Sequence, residues 1–79
     1  MEKIKDLKNK TLLFHHHELI YVDNDGLIWL SSPIGLWLDE MSIYFKTIHL
    51  IFFNTSKKGI KHDMYLRGEN FNNISLGPP

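Results

Sequence analysis

The sequence predicts an α/β fold, a βαβ unit with a β-hairpin inserted in its crossover and a mostly parallel sheet. Three observations predict it. Leu12-Leu13-Phe14 and Thr47–Phe53 are short, apolar, β-favouring runs. Between them lies a helix-period segment from Pro33 to Lys46. Before that segment, two β-rich runs flank Asp23-Asn24-Asp25-Gly26, the signature of a hairpin.

In chain order, residues 1–10 form a polar lead-in, with one helical turn turning Ile4 and Leu7 inward. Thr11–Phe14 reads as a buried strand. Glu18–Val22 and Leu27–Leu30 are the hairpin arms, and Gly26 supplies the positive φ that the turn needs at its exit. Ser31-Ser32-Pro33 reads as a helix start, with Ser32 as the cap and Pro33 in the first turn. Leu38, Met41 and Phe45 then recur at helical spacing, with Trp37, Met41 and Tyr44 as the adjoining stripe.

Thr47–Phe53 is continuously apolar, which predicts a strand covered on both faces, as in parallel sheets. Residues 54–73 read as polar loop anchored by Ile60, Met64, Tyr65 and Leu66, and Ile74-Ser75-Leu76 as a third short strand. With one helix for two sheet faces, one face lacks cover. The chain reads as a single unit over 1–79, cut off in mid-fold.

Composition narrows the function classes. Lys plus Arg and Asp plus Glu number nine each, so the chain offers no broad attraction to nucleic acid or to an anionic membrane. Its cationic residues cluster at Lys3, Lys5, Lys8 and Lys10, and again at Lys57, Lys58 and Lys61, and both clusters read as solvated surface. Cysteine is absent, which excludes disulfides and thiolate metal sites. No apolar run approaches the roughly 20 residues of a membrane span, and residues 1–10 are too polar for a signal peptide. A cytoplasmic protein is expected.

His15-His16-His17 is the most conspicuous local feature. Neighbours on a strand point to opposite faces, so only His15 and His17 can converge on one metal ion, and His49 and His62 show no diagnostic spacing as further ligands. Placement at a strand end instead puts His15 and His16 at the edge of a ligand cleft. Ser31, Ser32 and Gly35 sit where helix N–H groups are free to bind an anion. No GxGxxG or GxxxxGK[ST] motif is present, and no cofactor is expected. Trp37 is expected in the core, and Trp29, on the hairpin, nearer the surface. No paired carboxylates or nucleophile–base arrangement can be argued, so these residues specify no reaction.

The order of these features resembles a known opening. The Leu12-Leu13-Phe14 strand, the Tyr21–Trp29 segment around Asp25-Gly26, Gly35-Leu36-Trp37, and Tyr44-Phe45 before the Ile48–Phe53 strand are similar to the amino-terminal part of family-4-like GT-B glycosyltransferases. Asn73–Leu76 matches that domain's short third strand. The resemblance spans about residues 11–76 and implies a partial Rossmann-like domain. It further implies that His15, His16, Ser31, Ser32 and Gly35 face a sugar acceptor, while a missing carboxy-terminal domain holds the nucleotide-sugar donor. His15–Glu18 replaces the family's Gly-rich turn, and Asn54 stands where members often carry Arg. The chain alone is then expected to be inactive in transfer. Two other readings compete: a stand-alone interaction module that completes its sheet with a partner or by homodimerisation, and a histidine-dependent metal binder.

Overall fold

The computed structural model describes residues 7–78. A 3-10 turn at Leu7–Asn9 leads into β1 (Thr11–His15). The hairpin strands β2 (Tyr21–Val22) and β3 (Ile28–Leu30) follow, then α1 (Ser32–Ser42), β4 (Thr47–Phe52), β5 (Met64–Tyr65) and β6 (Phe71–Ser75). The architecture is α/β. β1, β4 and β6 form a parallel sheet with β4 in the middle, and β2, β3 and β5 form a small antiparallel sheet with β3 in the middle. The inward turn at Leu7 is half-buried, and Ile4 lies outside the described residues.

β4 organises the core. Ile48, Leu50 and Phe52 point to one face and are fully buried with Ile20, Leu30 and Leu38, and Leu66 joins them. Leu12 and Phe14 of β1 and Phe71 of β6 pack against the same cluster. Burying side chains of this size contributes about 1.5–3 kcal/mol each.

The other face of the parallel sheet is bare, as one helix for two faces predicts, and this corrects the reading of Thr47–Phe53 as a strand covered on both faces. There Thr47, His49 and Ile51 are only half-buried, and Leu13 and Ile74 are 65% and 41% exposed. Strand register lays Leu13, His49 and Asn72 in one row and His15, Ile51 and Ile74 in the next. A continuous apolar run cannot distinguish a doubly covered strand from one with half-exposed Thr, His and Ile on its second face.

The hairpin closes as its turn residues require. Gly26 takes φ 82°, and Gly26 N–H donates to the Asp23 carbonyl at 3.0 Å. The Asp23 carboxylate accepts from Asp25 N–H and Leu27 N–H, both at 2.9 Å. The first arm is shorter than expected: only Tyr21 and Val22 pair with β3, and Ile20 bridges to Asn54 beyond β4.

α1 differs from its expected bounds at both ends. Ser31 is the N-cap residue but makes no side-chain cap bond, and Ser32 lies inside the helix. Asp63 supplies the cap from a distance: its Oδ1 accepts Ser32 N–H at 2.7 Å, and Ser32 Oγ lies 3.3 Å from Oδ2. The helix ends at Ser42, short of Lys46. Asn70 Nδ2 donates to the carbonyls of Ser42 and Phe45 at 2.9 and 3.0 Å, satisfying groups that a helix end leaves unpaired.

Between these caps, the Asp39 carboxylate accepts Arg67 N–H at 2.9 Å and Gly68 N–H at 3.1 Å. Gly35 is buried, and a Cβ there would lie 2.5 Å from Met64 Sδ, so β5 approaches the helix where a side chain is absent. Residues 63–70, expected as polar loop, are thus a strap along α1. Of their expected anchors, Leu66 is buried and Met64 and Tyr65 are half-buried. Ile60 is 99% exposed and anchors nothing. Trp37 is also no core residue: it is 44% exposed and rests on Phe14, ring centroids 5.2 Å apart.

Among the described residues, no helix is long and apolar enough to cross a membrane.

Candidate functional site

The residues predicted from sequence fall in three places. His15, the last residue of β1, is exposed on the bare sheet face, where its Nδ1 donates to the Ile51 carbonyl at 2.7 Å. His16 turns inward beside Phe14 and Phe52, with its centroid 6.2 and 6.3 Å from theirs. Its Nδ1 accepts Glu18 N–H at 3.1 Å, and Glu18 Oε1 accepts Ser31 N–H at 3.1 Å. His16 and Ser31 therefore meet through Glu18. Ser32 and Gly35 face the strap instead, against Asp63 and Met64.

The chain itself occupies part of the helix start. Ser31 N–H and Ser32 N–H already bind the carboxylates of Glu18 and Asp63, and Gly35 N–H donates to the Ser31 carbonyl at 2.9 Å. The chain's own carboxylates stand where the helix dipole favours negative charge.

The remaining histidines are tied into the fold. His62 is 8% exposed. Its Nδ1 accepts Gly59 N–H at 2.7 Å, which leaves Nε2 to donate to the Leu19 carbonyl at 2.9 Å. His49 Nδ1 accepts from Asn72 Nδ2 at 2.9 Å. No group of three His, Asp or Glu side chains among the described residues is placed to hold a metal ion.

A site that sequence reasoning missed lies on the small sheet. Register places Tyr21, Trp29 and Tyr65 side by side across β2, β3 and β5. The Trp29 and Tyr65 rings lie 5.0 Å apart, inclined at 58°. Lys58 Nζ sits 3.4 Å from the Trp29 ring centroid, and the Arg67 guanidinium 5.9 Å from that of Tyr65. Trp29 Nε1–H donates to Asp23 Oδ2 at 3.0 Å. That bond, then the backbone donors Leu27 and Asp25 and the charge of Lys58, hold the Asp23 carboxyl below its ordinary value against partial desolvation.

Beside this aromatic row a cleft of about 470 Å³ opens between β3, β5 and α1. It is lined by Trp29, Ser32, Leu36, Asp39, Asp63, Met64, Tyr65 and Arg67. Of the predicted residues, only Ser32 lines it. Asp39 and Asp63 are fixed by the backbone N–H groups they accept, and each carboxylate can accept further hydrogen bonds. Aromatic rings beside oriented carboxylates, a hydroxyl and a guanidinium suit a ligand with apolar C–H faces and many hydroxyls. Within the cleft the Ser32 hydroxyl lies 3.3 Å from Asp63 Oδ2. The site was hidden because β3 and β5 pair Trp29 with Tyr65 and Leu30 with Met64, residues far apart in sequence. The alternation Met64-Tyr65-Leu66-Arg67 is the one local hint of that strand.

Comparison with known proteins returned no matching family model, no matching curated protein and no matching solved structure. The class defined here is therefore the α/β fold and its aromatic cleft, read from their own geometry.

Proposed function

We propose that the chain supplies the acceptor-side half of a sugar-transfer cleft, as its resemblance to GT-B glycosyltransferases implies. The acceptor sugar lies in the cleft beside Trp29 and Tyr65. The observation that carries this reading is the Tyr21–Trp29–Tyr65 row beside the oriented carboxylates of Asp39 and Asp63. Three parallel strands laid side by side in chain order support it at the level of fold, because half of a doubly wound sheet is built that way. On this reading the donor nucleotide-sugar belongs to a second domain, and the site of action is the cytoplasm.

The test is titration of the full chain with a panel of neutral mono- and disaccharides, followed by isothermal titration calorimetry. Saturable binding is expected, weakened about tenfold by Trp29→Ala or Tyr65→Ala through loss of ring contact. No transfer from a nucleotide-sugar is expected from the chain alone. Absence of saturable binding across the panel would refute the proposal.

A second reading, an interaction module, is favoured by the bare sheet face. Its apolar side chains, Leu13, Ile51 and Ile74, are spread over two adjoining rows with His15, His49 and Asn72. A second copy related by a two-fold axis can cover them with the same three side chains. Light scattering decides it: a dimer that Leu13→Lys and Ile74→Lys dissolve supports this reading, and a monomer at all concentrations removes it.

A further inference from the structure

The turn at residues 59–62 presents one aliphatic side chain entirely to solvent. Ile60 is 99% exposed, and Lys57 and Lys61 flank it, both exposed. Lys58 belongs to the same run, but its ammonium is held over Trp29. The presentation is built into the fold. His62 N–H donates to the Gly59 carbonyl at 3.0 Å and Gly59 N–H donates back to His62 Nδ1 at 2.7 Å. The buried His62 ring is in turn anchored on the Leu19 carbonyl. Ile60 therefore stands out from a pinned turn rather than from a slack loop.

The nearby carboxylates do not cancel the lysines. Glu18 and Asp63 are turned to the first N–H groups of α1. A chain with no net charge thus concentrates cations around the most exposed aliphatic side chain among the described residues.

We infer that this turn docks the protein on an anionic lipid surface, with Ile60 entering the headgroup–acyl boundary and Lys57 and Lys61 facing the lipid phosphates. The observations favour lipid over an acidic protein. A stable protein interface needs about 800 Å² from each partner, and one projecting side chain supplies little of that. A lipid surface asks only for apolar depth at a point and cations around it. This inference stands apart from the acceptor cleft, since none of Lys57, Ile60 or Lys61 lines it.

The experiment is co-sedimentation of the full chain with vesicles of phosphatidylcholine alone, and of phosphatidylcholine with about a third phosphatidylglycerol. Binding to the anionic vesicles only is expected. It should weaken as salt rises from ~0.1 M to ~1 M, where the screening length falls from about 10 Å to about 3 Å. Ile60→Ser should lower the partition at least about tenfold, from the lost apolar burial, and the double variant Lys57→Glu, Lys61→Glu should abolish it. Neither variant should change thermal unfolding, because these side chains project into solvent. Three results would each overturn the inference: no binding to anionic vesicles, equal binding to neutral ones, or an Ile60→Ser partition equal to the parent's. Capture by immobilised polyglutamate that Ile60→Ser leaves intact, without vesicle binding, would assign the turn to an acidic partner instead.

Discussion

Asp63→Ala tests the central assignment of the strap, that α1 is capped by a side chain 31 residues from the first helical N–H it serves. The Asp63 carboxylate accepts Ser32 N–H at 2.7 Å and approaches Ser32 Oγ at 3.3 Å, whereas the Ser31 side chain makes no cap bond. Loss of an N-cap acceptor costs about 1 kcal/mol, and loss of a negative charge at a helix start costs a further ~0.3–1 kcal/mol. Asp63 is exposed, so solvent replaces part of both and the lower end applies. The expected cost of Asp63→Ala is therefore about 1 kcal/mol, a fall in Tm of roughly 4–8 °C for a domain of this size. Ser31→Ala should cost less than ~0.5 kcal/mol, within the range of an ordinary surface change. Urea unfolding followed by circular dichroism at 222 nm measures both. If Ser31→Ala costs as much as Asp63→Ala, the helix is capped locally and the assignment fails.

Three further outcomes follow from buried or oriented polar groups. His62→Leu strips partners from Gly59 N–H and the Leu19 carbonyl and should cost about 2–4 kcal/mol, read as a shift in urea midpoint; a cost below ~1 kcal/mol would show that the turn is held by other contacts. The buried Oδ1 of Asn73 has no hydrogen-bond partner among the described residues, so Asn73→Val should raise stability by about 1 kcal/mol, and destabilisation would contradict the placement. Asp23 is held below its ordinary value of 3.8. Its folded-state pKa lies under the unfolded one, so its contribution is present above that value and is lost as pH falls beneath it. An acid titration of Trp29 fluorescence in a Trp37→Phe background should show this loss, and Asp23→Asn should flatten the curve.

What was legible in the sequence was local. β1 and β4 declare themselves by apolar, β-favouring runs, and the hairpin by Asp25-Gly26, because each signal lies within a few residues. Helix α1 is legible from Leu38 and Met41, but the spacing runs on to Phe45, past its end at Ser42, and its cap was placed at Ser32. The cap comes from Asp63, and no window around residue 32 contains it. β6 was found at Ile74 but missed at Phe71–Asn73, since two asparagines in a row disguise a strand that β4 pairs in parallel. Ile60 was read as an anchor because burial is the usual fate of isoleucine; the pinned turn that exposes it depends on His62 reaching Leu19. The cleft was illegible for the same reason. Ser32, Asp39, Tyr65 and Arg67 share it only once the strap is laid along α1.

The chain-order neighbours of the parallel sheet also set how this protein must fold. Thr11 meets Thr47, and Ile48 meets Phe71, so the β1–β4 ladder cannot close until the hairpin and helix between those strands have been made, and the β4–β6 ladder waits for residues 53–70. Closure of such long loops is entropically costly before any pairing rewards it, and the local elements therefore form ahead of the sheet. Until β4 arrives, β1 waits as an unpaired strand with Leu12, Leu13 and Phe14 open to other chains. An unpaired apolar strand of this kind offers its edge to other chains for as long as residues 16–46 are still being made.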